Sequence, residues 1–114
     1  MIALDTNVLV RFLVADHPEQ AAAARRLMAT LSEDEPGFVC REVVLELAWV
    51  LERTYGMERR RIADALDGLI AAREIRVEAA DDLASSVAAW RGGGAGLGDQ
   101  MIEAAARRAG ARAV

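Results

Sequence analysis

The chain is expected to fold as an α/β domain: a short central parallel sheet of about four strands, flanked by helices in a three-layer α/β/α arrangement. Three observations lead there. Short apolar segments alternate with longer stretches of helical period, the pattern of successive βα units. Alanine and arginine, both strong helix formers, crowd the stretches in between, as at Ala21 to Ala24 and Ala104 to Ala106. The length of 114 residues suits one domain, and a hydrophobic share of 54% is too high for a disordered chain.

Met1 to Leu4 runs apolar into Asp5, which predicts a buried strand with an acid at its carboxyl end. Asn7 to Val14 follows as a short helix. Asp16-His17-Pro18-Glu19 is a helix start, with Asp16 as cap, Pro18 in the first turn and Glu19 three residues after the cap. That helix runs to about Leu31, with Ala24, Leu27, Met28 and Leu31 on one face. Asp34 to Gly37 is a turn, and Phe38 to Cys40 a second strand. Arg41 to Tyr55 is a helix whose stripe is Val43, Val44, Leu47, Val50 and Leu51, closed by Gly56.

Glu58 to Arg73 is the next helix, turning Ile62, Leu66, Leu69 and Ile70 inward. Ile75 to Val77 is a third strand, and Asp81 to Arg91 a helix. Gly92 to Gly96 is a loop, read as a hinge or entry segment because it lacks the Gly-Lys-Ser/Thr ending of a phosphate cradle. Leu97 to Ala109 is the last helix, with Met101, Ile102 and Ala105 inward and Gly110 ending it. Ala111 to Val114 begins a fourth strand.

All 14 basic residues are arginine, yet the net charge is −4. Coating of DNA by excess cations is therefore excluded, whereas action on nucleic acid with help from divalent ions is not. The single cysteine, Cys40, excludes an internal disulfide, and the single histidine, His17, excludes a multi-histidine metal site. Together with an opening that leaves no room for a signal peptide and no apolar run of about 18 residues, this predicts a reducing, cytoplasmic setting.

Ligands of parallel sheets lie at the carboxyl ends of the strands, which singles out Asp5. Alone, Asp5 is as well explained as a helix cap. Glu42 and Glu46 lie four apart on one helix side, and Glu46 falls at the rim of the stripe centred on Leu47. Burial at that rim requires a partner, either Arg53 or Arg73 or a metal shared with Asp5. Asp99 sits in the first turn of its helix, where the dipole favours an acid. Three acids at element ends form a hard oxygen set of the kind that Mg²⁺ or Mn²⁺ prefers.

These residues carry a resemblance. Ile2-Ala3-Leu4-Asp5-Thr6-Asn7-Val8-Leu9-Val10 resembles the opening of a PIN domain. Phe38 to Leu51 resembles that family's second strand and acidic helix, and Gly96 to Ala105 its third motif. The style is that of VapC toxins from bacterial toxin–antitoxin pairs. The resemblance implies a Mg²⁺-dependent endoribonuclease whose acids map onto Asp5, Glu46 and Asp99, with Thr6 as a hydroxyl helper. It also implies a homodimer and a cognate antitoxin that covers the acidic cleft. Two departures accompany it. Gly96 stands where many relatives carry an aspartate. A further acid is expected beyond Val114, so residues 1–114 are expected to form a single PIN-like domain lacking its C-terminal strand and segment.

Two rivals differ in class. One is a catalytically degenerate module of the same fold that binds RNA or an antitoxin without cleaving. The other is a phosphoryl-transfer domain built on the strand-end Asp5, disfavoured because Asn7 stands where a second acid is required. Trp49 and Trp90 are assigned to core or interface packing ahead of base stacking, Arg59 to Arg61 to a solvated face, Met28 and Met101 to the core, and Cys40 to a small buried site.

Overall fold

The computed structural model describes residues 1–112 and 114. Its elements run β1 (Ile2–Ala3), α1 (Thr6–Val14), α2 (Pro18–Ala29), β2 (Gly37–Val39), α3 (Arg41–Arg53), α4 (Arg59–Ala71), β3 (Ile75–Val77), α5 (Ala80–Arg91) and α6 (Leu97–Ala109). The three strands pair in parallel in the order β1-β2-β3. Ile2 lies opposite Gly37 and Gly37 opposite Ile75, while the next row joins Ala3, Phe38 and Arg76.

The expected α/β architecture is present, with three strands among the described residues. Ala111, Arg112 and Val114 lie in no strand, and Ala113, part of the expected fourth strand, lies outside the described residues. The local reason is the end of α6. Gly110 takes φ +72°, and the Ala111 N–H donates to Ala106 O at 2.8 Å, so the segment's first donor closes the helix.

Both crossovers step along the sheet in one direction. Right-handed connections of that kind place their helices on the same face. Gly37, Val39 and Ile75 are buried, whereas Ala3 and Arg76 are exposed and Phe38 is half-buried; Ile2, in the same row as Gly37 and Ile75 but on the edge strand, is exposed. The core gathers Leu9, Leu47, Leu51, Ile62, Leu66 and Val87, all fully enclosed. α5 and α6 extend it through Leu83, Val87, Trp90 and Leu97.

Helix α2 begins one residue later than expected. His17, not Asp16, occupies the cap position, and it makes no side-chain cap bond; Pro18 takes the first turn, where its missing N–H costs nothing. Gly56 closes α3 as expected, at φ +61°, with its N–H on Glu52 O and the Met57 N–H on Leu51 O, both at 3.0 Å. Gly37, assigned to the turn, belongs instead to β2. A Cβ there would stand 2.8 Å from Leu4 Cδ1 and 3.0 Å from Leu31 Cδ1, so glycine lets two core leucines close over the strand. Gly37→Ala is therefore expected to cost about 1–3 kcal/mol by overpacking, read as a lower urea midpoint at unchanged slope.

The inward face of α6 also differs. Leu97 and Ala104 are buried and Met101 half-buried, but Ile102 is 66% exposed. α6 packs along α5, which covers only one stripe of it. Met28 and Met101 border the core rather than fill it, and Cys40 is half-buried. Arg91 bridges α5 to α4, donating to Asp64 Oδ1 at 2.7 Å and Asp67 Oδ2 at 2.6 Å; these bonds raise its pKa above the usual arginine value. Among the described residues, no helix is long and apolar enough to cross a membrane.

Candidate active site

Asp5 comes just after β1, with Leu4 between them, at the carboxyl end of the sheet, and caps α1. Its backbone is extended (φ −91°, ψ 171°) and Oδ1 accepts the Val8 N–H at 2.9 Å. The capping role and the functional role do not compete. One carboxylate oxygen holds the helix, and Oδ2 forms no hydrogen bond among the described residues. The side chain is exposed, and β1 is an edge strand of the sheet among the described residues.

Thr6 is the first residue of α1 and only 6% exposed; its Oγ1 is buried without a partner among the described residues. A hydroxyl enclosed in this way does not meet a substrate directly. It acts, if at all, through the orientation of its neighbour Asp5. An orphaned buried hydroxyl costs roughly 1–3 kcal/mol. Thr6→Val keeps the shape and removes that cost, so it is expected to raise stability by about 1 kcal/mol in urea unfolding.

Glu46 lies in the second turn of α3 and is exposed. Neither suggested arginine pairs with it. Arg53 lies 3.9 Å from Glu52 and Arg73 3.6 Å from Glu33. Glu42, in the first turn of α3, is exposed as well. Asp99 is exposed in the first turn of α6. The start of α6 abuts α3: a Cβ on Gly98 would lie 3.7 Å from Leu45 Cδ2. Gly98 and Leu45 adjoin Asp99 and Glu46 in the chain. Among the described residues, no three of His, Cys, Asp and Glu stand close enough together to enclose a metal ion.

The donor set nonetheless fits a hard divalent ion in kind. Mg²⁺ keeps several of its waters and is usually held by one or two carboxylates together with substrate phosphates, not by a closed protein cage. An exposed carboxylate with one oxygen uncommitted, as at Asp5, suits that mode. Gly96, at the cap position of α6, has open space around its Cβ direction, so crowding is not what keeps a carboxylate from that position.

One acid at this sheet edge escaped the sequence reading. Glu78 follows β3 as Asp5 follows β1, and the same strand-end rule applies to both. Its Oε1 accepts the Arg41 N–H at 2.9 Å, so it secures the first turn of α3. The glycine loop does not form an anion cradle. The Gly92 and Gly93 N–H groups are spent on Ala89 O and Trp90 O. Arg59 is likewise not a solvated residue: its guanidinium lies 5.1 Å from the Trp90 ring centroid and donates to Trp90 O at 3.1 Å. A groove of about 580 Å³ opens between α1, α2 and α4 around Phe12, Met28 and Leu69, and none of the three acids lines it.

A family model described as PIN domain matches residues 2–114. No curated protein and no solved structure matches the chain.

Proposed function

The chain belongs to the PIN domain family, a family of nucleases that generally use divalent metal ions, and on that premise we propose that it is a Mg²⁺-dependent endoribonuclease of the VapC type. In this reading residues 1–114 form a single domain, working in the cytoplasm as a homodimeric toxin held by a cognate antitoxin. The observation that carries it is Asp5: a strand-end carboxylate that caps its helix with one oxygen and keeps the other free at the exposed sheet edge.

Asp5, Glu46 and Asp99 are the residues that hold the ion, each offering exposed carboxylate oxygens. When bound, Mg²⁺ (or Mn²⁺) neutralises their charge, polarises the scissile phosphodiester and eases deprotonation of the attacking water. The capping bond from Val8 fixes the Asp5 carboxylate plane, so the free oxygen is held in place before substrate arrives. Thr6, the suggested hydroxyl helper, is buried in the first turn of α1 beside Asp5 and does not itself face the ion or the substrate. Glu46 on α3 and Asp99 in the first turn of α6 are assigned to the same ion; the start of α6 lies against α3 at Gly98 and Leu45.

The purified chain is expected to cleave single-stranded RNA with Mg²⁺ or Mn²⁺, to stop when EDTA is added and to resume on metal excess. Asp99→Ala, at an exposed position, is expected to lose that cleavage with its melting temperature retained. Absence of cleavage with either metal, with no effect on growth upon expression, would instead establish a binding module that has lost its chemistry.

A further inference from the structure

The two tryptophans part company in the fold. Trp90 is 3% exposed and belongs to the core, as expected, whereas Trp49 is 59% exposed on the outer side of α3. Its indole stands beside a groove of about 370 Å³ between α3, the end of α5 and the start of α6, lined among others by Leu45, Trp49, Glu52, Arg59, Trp90 and Gly98. The Arg53 guanidinium lies 6.0 Å from the Trp49 ring centroid. On the α6 side the wall carries glycines at 96 and 98, and the Cβ direction of Gly96 is empty, so the indole faces an open slot. Gly96, Leu97 and Gly98, at the start of the helix that bears Asp99, form that wall.

We infer that this slot receives one unpaired base of the RNA strand, stacked on Trp49; the inference rests on the reading of the chain as a ribonuclease. An accessible indole offers a flat π-face that every base can cover. The rim groups decide between a base and a protein partner. An apolar protein surface laid over Trp49 would desolvate Glu52, Arg53 and Arg59 without return. A base brings donors and acceptors on its own edge, which Glu52 and Arg59 can meet, and its phosphates find a cation at Arg53. Leu97 and Gly98 of the first turn of α6 line the same groove, so a base stacked on Trp49 lies against the helix that bears Asp99.

Trp49→Ala is expected to raise KM for single-stranded RNA about 5–150-fold with kcat unchanged, the range that loss of one stacked base implies. Trp49→Phe is expected to restore most of it. In an Asp5→Asn background with Mg²⁺ present, a decamer of adenylate is expected to quench tryptophan emission, and Trp49→Phe to abolish the quench while retaining affinity. Wild-type cleavage with KM unaffected by Trp49→Ala overturns the slot and leaves the nuclease reading standing. Unchanged RNA affinity with a dimer turned to monomer by Trp49→Ala also overturns it, in favour of a protein interface. A Trp49-dependent quench without cleavage by the wild type upholds the slot and removes the catalytic reading. Neither binding nor cleavage removes both.

Discussion

Asparagine at position 5 is expected to abolish the proposed RNA cleavage and to leave the melting temperature nearly where it was, whereas alanine is expected to lose both. The difference comes from the two oxygens of Asp5. Oδ1 accepts the Val8 N–H at 2.9 Å and caps α1, a task asparagine performs as well as aspartate. In the proposed site the second oxygen would face the metal, and asparagine replaces its charge with a neutral amide. Loss of several kcal/mol of charge stabilisation corresponds to a rate lower by at least about 100-fold. Alanine removes the cap as well, at about 1 kcal/mol, which for a domain of this size lowers the melting temperature by about 4–8 °C. Cleavage assays and thermal melts on the two variants separate the roles. Full activity in Asp5→Asn would reduce Asp5 to a cap and end its assignment to the metal.

The largest effect on stability is expected at Leu51. It is fully enclosed, on the α3 stripe with Leu47, where α3 meets the rest of the core. Leu51→Ala removes buried methyl groups and leaves a cavity that the neighbouring leucines fill only in part, at about 2–5 kcal/mol. Total stability of a small domain is about 5–15 kcal/mol, so this one change consumes a large share of it. The urea midpoint should fall at unchanged slope. Leu45→Ala, on the same helix but 38% exposed, should cost about 1 kcal/mol or less. Equal losses at both positions would contradict the burial pattern of α3.

Most elements were legible because their signals are local. β3 begins and ends where the alternating segment Ile75-Arg76-Val77 does, and α6 spans Leu97 to Ala109 between Gly96 and Gly110 as expected. The departures occur where distant residues decide. Gly37 carries a turn signature, but Leu4 and Leu31 close over it and make it a strand residue. Ile102 sits on an amphipathic helix in a position that periodicity turns inward, yet α5 covers only the neighbouring stripe. Arg59 looked like part of a charged face until the end of α5 supplied both a ring and a carbonyl.

The candidate site divides along the same line. Asp5 was visible from the sequence because an acid closing an apolar strand marks the carboxyl edge of a parallel sheet, whatever the remaining contacts are. Glu46 and Asp99 were visible only as acids on helix faces, and no periodicity announces that α6 lies against α3 at Gly98 and Leu45. By itself the sequence determined the α/β alternation, the helix stripes and the strand-end acid, since these follow from periodicity and from chain ends of elements. Only the tertiary structure decided that Trp90 is buried and Trp49 is not, that the Thr6 hydroxyl is enclosed, and that one row of the sheet faces outward. Burial is set by what packs against a side chain from elsewhere in the chain, and no local pattern of residues contains that partner.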